Sequence, residues 1–194
     1  GVTSIREGTF FGCSELLSIN IPNNVNTIEK DAFAGCAKLS SVIFGENSQL
    51  TTIGDTAFKT IDISSIIIPS TVNSIGKETF AFCSKLKSVN IPAGVVQIND
   101  NTFLSCIQLD SVTFDLNSQL NSIGINAFKD CSSLLLITIP EDVSSIDSTT
   151  FTNSGLATVN MYKKTMDLFE IVSGPTPLFF GATNNNTFVT INQL

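Results

Sequence analysis

Seven phenylalanines recur along this chain at nearly constant intervals, and that spacing constrains its fold more than any other feature. Phe10, Phe33, Phe58, Phe80, Phe103, Phe128 and Phe151 are separated by 23, 25, 22, 23, 25 and 23 residues. A small residue precedes each one: Thr9, Ala32, Ala57, Thr79, Thr102, Ala127 and Thr150. Three positions after it stand Cys13, Cys36, Cys83, Cys106 and Cys131, with Ile61 and Ser154 in the two remaining slots. Five or six positions after it come Leu16, Leu39, Ile63, Leu86, Leu109, Leu134 and Leu156. A unit of this size cannot close a core alone, so the units must stack as the rungs of a solenoid.

The spacing within a unit assigns local structure. In Leu86-x-x-Val89-x-Ile91-Pro92 the apolar residues alternate, as in a short strand with one buried face. Pro92 ends it, as Pro22, Pro69 and Pro140 do in other units, because proline has no amide to give a continuing ladder. Val95-x-x-Ile98 then forms the return side. Gly54, Gly76 and Gly124 follow the equivalent Ile, with Asn99 and Asp147 in two other rungs. Those residue types predict a tight corner with positive φ. The small-Phe-x-x-Cys segment predicts a helical or 3₁₀ turn back to the next strand. Parallel stacking would add about 4.8 Å per rung.

Two units are longer than the rest. They hold the near-duplicates ENSQLTTIGDTAF (46–58) and LNSQLNSIGINAF (116–128), and they carry Phe44-Gly45 and Phe114-Asp115 where other strands end in Ile-Pro. The chain therefore repeats in blocks of three rungs, which explains the echo as duplicated architecture. The two NSQL loops are expected on the same side, as a secondary contact surface.

The pattern L-x-x-V-x-I-P-x-x-V-x-x-I-x-x-x-[AT]-F-x-x-C-x-x-L resembles the BspA-like, or treponemal-type, leucine-rich repeats. Residues 80–103, FAFCSKLKSVNIPAGVVQINDNTF, match it almost column for column. The resemblance implies a leucine-rich-repeat solenoid over 1–161: a curved, right-handed, β-rich coil of about seven repeats with parallel strands. After Met161 the repeat stops, and residues 162–194, with a helix over 162–172 and a hairpin about an Asn-rich turn, are expected to cap the solenoid, the alternative being a separate binding element. The first repeat lacks its leading strand. The resemblance further implies a secreted or surface-displayed, non-enzymatic binding module, adhering to host or microbial surface proteins, cells or glycans. Two alternatives are a structural spacer displaying another domain and, remotely, a carbohydrate-active enzyme.

Composition narrows the chemistry. A net charge of −7 and a pI near 4.4 argue against nucleic acid and against anionic membrane surfaces. No apolar run reaches the roughly 18–20 residues of a membrane span, so no membrane insertion is expected from this segment. GVTSIREGTF has neither the basic start nor the apolar stretch of a leader, which for an extracellular chain suggests a fragment or processed form.

The chain has no His, which removes Ser-His and Cys-His nucleophile pairs and weakens any metal or other cofactor reading. The five Cys share one interior column and are expected to be free thiols acting as small hydrophobes. Glu29, Asp31, Asp55, Glu78, Asp100 and Asp147 recur beside Phe, where they would cap short helices. Asn185-Asn186-Thr187 is one glycosylation triplet, with Asn185 as acceptor.

The candidate contact surface is the outward, expected concave, face of the first strand. One column holds Ser18, Ser41, Ser65, Ser88, Ser111, Leu136 and Thr158. A second holds Asn20, Ile43, Ile67, Asn90, Thr113, Thr138 and Asn160, and a third includes Lys87, Asp110 and Leu135. Such a small, neutral, hydroxyl-rich face suits broad, shallow contact with protein or glycan, although Ser, Thr and Asn ladders can also merely pair with one another. Ile43, Ile67, Lys87, Asp110, Leu135 and Leu136 break the columns and are the sharpest candidates.

Overall fold

The computed structural model describes residues 1–161 and 190–193. It is a parallel-strand solenoid of about seven turns. Each complete rung contributes two strands on two different sides. The longer series comprises β2 (Ser18–Ile21), β4 (Ser41–Phe44), β6 (Ser65–Ile66), β8 (Ser88–Ile91), β10 (Ser111–Phe114), β12 (Leu136–Thr138), β14 (Thr158–Met161) and β15 (Thr190–Gln193). The shorter, two-residue series comprises β1 (Ser4–Ile5), β3 (Thr27–Ile28), β5 (Thr52–Ile53), β7 (Ser74–Ile75), β9 (Gln97–Ile98), β11 (Ser122–Ile123) and β13 (Ser145–Ile146).

Neighbouring rungs pair parallel and in register: Ser18 faces Ser41, Ser88 faces Ser111, and Ile28 faces Ile53. Pro22 and Pro92 stand directly after β2 and β8, where the alternation predicts the ladder to stop. The last strand, β15, pairs parallel on β14 and continues the long-strand face. The capping helix expected over 162–172 and the Asn-rich turn with Asn185 lie outside the described residues.

The core is the set of columns seen in the sequence. Phe33, Phe58, Phe80, Phe103 and Phe128 are fully buried, as are Cys83, Cys106 and Cys131 and most of the inner Leu, Ile and Val, with Leu16, Ile19, Val42 and Ile146 partly buried against them. The rings from Phe10 to Phe151 form one continuous stack, with centroids 5.1–5.7 Å apart and planes within 4–9° of parallel. Centroids farther apart than the rung spacing mean offset stacking, which the ring quadrupole favours over direct overlay.

The segment around each Phe is a turn, not the helical or 3₁₀ turn expected from its spacing. Among the described residues there is no helix. The reason lies in the direction of the amides. Phe10, Phe33, Phe58, Phe80, Phe103 and Phe128 each donate their N–H to a carbonyl of the next rung, at 2.8–3.0 Å. Residues two before and two after the Phe adopt positive φ, as at Asp31 (57°) and Gly35 (72°), and their amides also point to the next rung. The alternate residues bond locally, as Ala34 N–H does to Asp31 O and Cys36 N–H to Phe33 O. This alternation makes the turn a third inter-rung ladder, and a helix would have withdrawn those amides inward.

The same geometry corrects the reading of Gly54, Gly76 and Gly124. None of these has positive φ, which falls two residues further on at Thr56, Glu78 and Asn126. What they provide is close approach. A Cβ on Gly54 would stand 2.7 Å from Lys30 N, and one on Gly124 would stand 2.6 Å from Asp100 Oδ1. The acidic residues also differ from expectation. They meet turn amides, not helix ends: Asp55 Oδ1 accepts from Lys77 N at 2.7 Å and Asp100 Oδ1 from Ile125 N at 3.1 Å, both across rungs, and Asp147 Oδ1 accepts from Thr149 N in its own turn at 2.8 Å.

The cysteine column has a polar duty as well as an apolar one. Cys36, Cys83, Cys106 and Cys131 each donate from Sγ to a Phe carbonyl in the preceding Phe-centred turns, at 3.0–3.2 Å. Ser154 occupies this column in the last such turn, and its buried Oγ has no hydrogen-bond partner. A hydroxyl is smaller than a thiol, and an unsatisfied buried polar atom costs about 1–3 kcal/mol. Ser154→Cys is therefore expected to stabilise the chain by about 1 kcal/mol, read as a higher urea midpoint with unchanged m-value.

Cys13, in contrast, is exposed. Burial raises the Cys83 and Cys131 thiols to about 12 and holds Cys106 well above its ordinary value. Native protein should thus react with a thiol reagent at Cys13 alone, and denatured protein at all five. The ordinary thiol value is 9.0. The folded state therefore keeps its full advantage below pH 9 and loses it as pH rises toward 12. A thermal midpoint that falls over that interval is the expected result.

Candidate binding face

The long-strand face is not one sheet. Its ladder runs β2-β4, then β6-β8-β10, then β12-β14-β15. Both interruptions follow a long rung, three rungs apart. Phe44 and Phe114 end β4 and β10 where other rungs carry Ile21, Ile68, Ile91, Ile139 or Met161, and both pack only partly buried against the core. No ladder hydrogen bonds join either of these strands to the next one in the series.

Within the loops the two copies are built alike. Leu50 and Leu120 are fully buried, and their amides donate to Ser48 Oγ and Ser118 Oγ, each at 3.3 Å. This internal role accounts for NSQL being written twice.

The copies differ in how the following rung holds the loop. At the first, Thr71 Oγ1 donates to Leu50 O at 2.6 Å and to Ser48 O at 3.3 Å, tying loop to rung. The equivalent position in the second is Asp142, whose carboxylate cannot donate. There a cleft of about 790 Å³ opens between β10 with its loop and β12. Sequence reasoning expected no such pocket and missed Leu116 and Asp142 among its walls. The Thr71/Asp142 mismatch between otherwise matching blocks was the available signal.

The sequence-derived contact residues fall into three groups along this face. Ser18 and Asn20 on β2 lie in register with Ser41 and Ile43 on β4. Ser65 on β6, Ser88 and Asn90 on β8, and Ser111 and Thr113 on β10 form the middle group, with Ile67, Lys87 and Asp110 just outside the strands. Leu136 and Thr138 on β12 belong to the last group.

The polar columns bond partly to themselves. Thr113 Oγ1 donates to Asn90 Oδ1 at 2.9 Å, Asn90 Nδ2 to Asp115 Oδ1 at 2.7 Å, and Asn160 Nδ2 to Thr138 Oγ1 at 3.2 Å. The apolar interruptions are held out in solvent. Ile43 and Ile67 are 53% and 86% exposed, and Leu135 and Leu136 are 60% and 49% exposed.

Six copies of the BspA type leucine rich repeat region match the chain, over residues 1–62 and 51–170. The chain belongs to the BspA-type leucine-rich repeat family. Two solved bacterial structures agree on the fold. A leucine-rich cell surface protein from Faecalibacterium prausnitzii superimposes with a TM-score of 0.59 at 24% identity, covering 84% of this chain and 59% of its own. The leucine-rich repeat protein of T. pallidum gives 0.54 at 25% identity, covering 69% and 72%. The pneumococcal vaccine antigen PcpA is 29% identical over 77% of this chain and 31% of its own, with a TM-score of 0.49. This BspA-type chain thus spans well under two thirds of the length of two of these relatives. No curated protein matches it. The solenoid of this family is typically a non-catalytic binding scaffold, and no enzyme family is indicated.

Proposed function

We propose that this chain is a non-enzymatic binding module that acts outside the cell or at its surface. It engages host or microbial surface proteins or glycans through its long-strand face. The observation that carries this reading is the exposure of Ile43 and Ile67 on a strand face lined mainly by Ser, Thr and Asn. Neither side chain belongs to the core, they stand at equivalent positions of consecutive rungs, and contiguous exposed apolar surface marks interaction sites. The Faecalibacterium relative's description as a cell surface protein supports the location.

A spacer is the second reading. It is favoured by the Asn90–Thr113 and Asn160–Thr138 bonds, which use part of the face internally. Glycan arrays and surface-protein arrays probed with the labelled chain separate the two. Specific hits on either support the binding module, and silence on both supports the spacer.

A further inference from the structure

We infer that the long-strand face carries a self-complementary patch, through which two copies of this chain associate weakly and antiparallel about a two-fold axis between β8 and β10. Such association needs no ligand, so it stands apart from the binding-module reading.

The patch consists of residues that interrupt the polar columns on four consecutive rungs. In order along the solenoid they are Ile67, Lys87, Asp110 and the pair Leu135 and Leu136. All five are exposed, Ile67 most of all. The order is apolar, cation, anion, apolar. Rotation by a half turn about an axis along the strands, midway between β8 and β10, reverses it. Lys87 of each copy then meets Asp110 of the other, and the rung of Ile67 meets the rung of Leu135 and Leu136. An isologous contact requires a patch that complements itself in this way. Sliding one copy by one rung, or packing the copies parallel in register, sets like charges against each other. The same two residues therefore fix direction and register.

Both charges are available for that contact. Lys38, Lys59, Lys77 and Lys85 each reach an acid of a neighbouring rung at 2.7–2.9 Å. Lys87 and Asp110 also sit on neighbouring rungs, and Asp110 N–H donates to Lys87 O at 2.9 Å. Yet among the described residues neither side chain has an ion pair or a hydrogen bond.

The size of the patch sets its strength. Ile67 and Leu135 are three rungs apart, about 14 Å. The contact is smaller than a standard interface of about 800 Å² per partner, and a net charge of −7 on each copy opposes it. The dimer is therefore concentration-dependent, and it covers Ile67, which sets self-association against ligand binding on this face.

The test is sedimentation velocity across a wide concentration series. Wild-type chain should pass from monomer to dimer. Lys87→Asp and Asp110→Lys should each remain monomeric alone, yet dimerise when mixed in equal amounts, because every contact then joins opposite charges. Leu135→Ser/Leu136→Ser should weaken the wild-type dimer about tenfold. Thermal midpoints verify that the variants are folded, and a misfolded variant would not recover on mixing. A wild type that stays monomeric, a single charge variant that dimerises like wild type, or a mixture that stays monomeric overturns the inference. Each of those results leaves the arrays to decide the binding-module reading independently.

Discussion

Phe103→Ala should destabilise the chain by about 3–5 kcal/mol, the range for truncating a fully buried Phe. Its ring is sandwiched between Phe80 at 5.5 Å and Phe128 at 5.3 Å, so one substitution removes two stacking contacts and leaves a cavity at mid-solenoid. A stability of about 5–15 kcal/mol is usual for a folded domain, so this loss would consume a large share. The backbone around Phe103 cannot collapse to fill the space, because its amide and those of Asn101 and Ser105 are tied to the next rung. Phe10→Ala is the internal control. Phe10 is only half-buried and has one ring neighbour, Phe33, so its loss should cost about 1 kcal/mol. Urea unfolding of the two variants measures both. Similar costs at the two positions would mean that the rings do not act as one column.

The second large effect belongs to a glycine. A Cβ on Gly76 would collide with the Asp55 amide nitrogen and Asp55 Oδ1, and would stand 2.6 Å from the Gly54 carbonyl carbon. These are mostly backbone atoms of the preceding rung, which cannot rotate away. Gly76→Ala should therefore cost about 2–3 kcal/mol by wedging two rungs apart. It would also break the Gly76 N–H to Ile53 O bond, 2.8 Å long. Comparison with Gly76→Asn distinguishes two explanations for the glycine. If positive φ were its purpose, Asn would be tolerated better than Ala. Close packing predicts that Asn is worse, because it adds more atoms to the same gap. Denaturation midpoints of the two variants decide between them.

Much of this fold was legible because the repeat writes each structural role seven times. The Phe, Cys and Leu columns, the strand positions and the proline stops all follow from coincident spacing, and they reappear as the core and the parallel ladders. The Phe turn was harder to read. Its pitch suits a helix, and only amide direction shows that Asp31, Phe33 and Gly35 bond between rungs instead. Spacing along a chain does not reveal to which rung an N–H points. Glycine carried a similar ambiguity, since positive φ and absence of a Cβ give the same letter in the sequence.

The candidate face was legible as columns of outward residues but not as a broken sheet. Its interruptions fall between β4 and β6 and between β10 and β12, where Phe44 and Phe114 end the longer rungs and no ladder joins the next strand. Those are pairwise facts between rungs about 20 residues apart, and a column-by-column reading treats each rung as equivalent. The departures from repetition, not the repetition, locate the cleft.

The most direct test of the binding-module reading is calorimetric titration of an array-captured ligand into wild-type chain and an Ile43→Ser/Ile67→Ser double variant. Both side chains are exposed and off the core, so the variant should unfold at the wild-type temperature. Contact through the long-strand face predicts at least a tenfold loss of affinity. Unchanged affinity in a folded variant would contradict it.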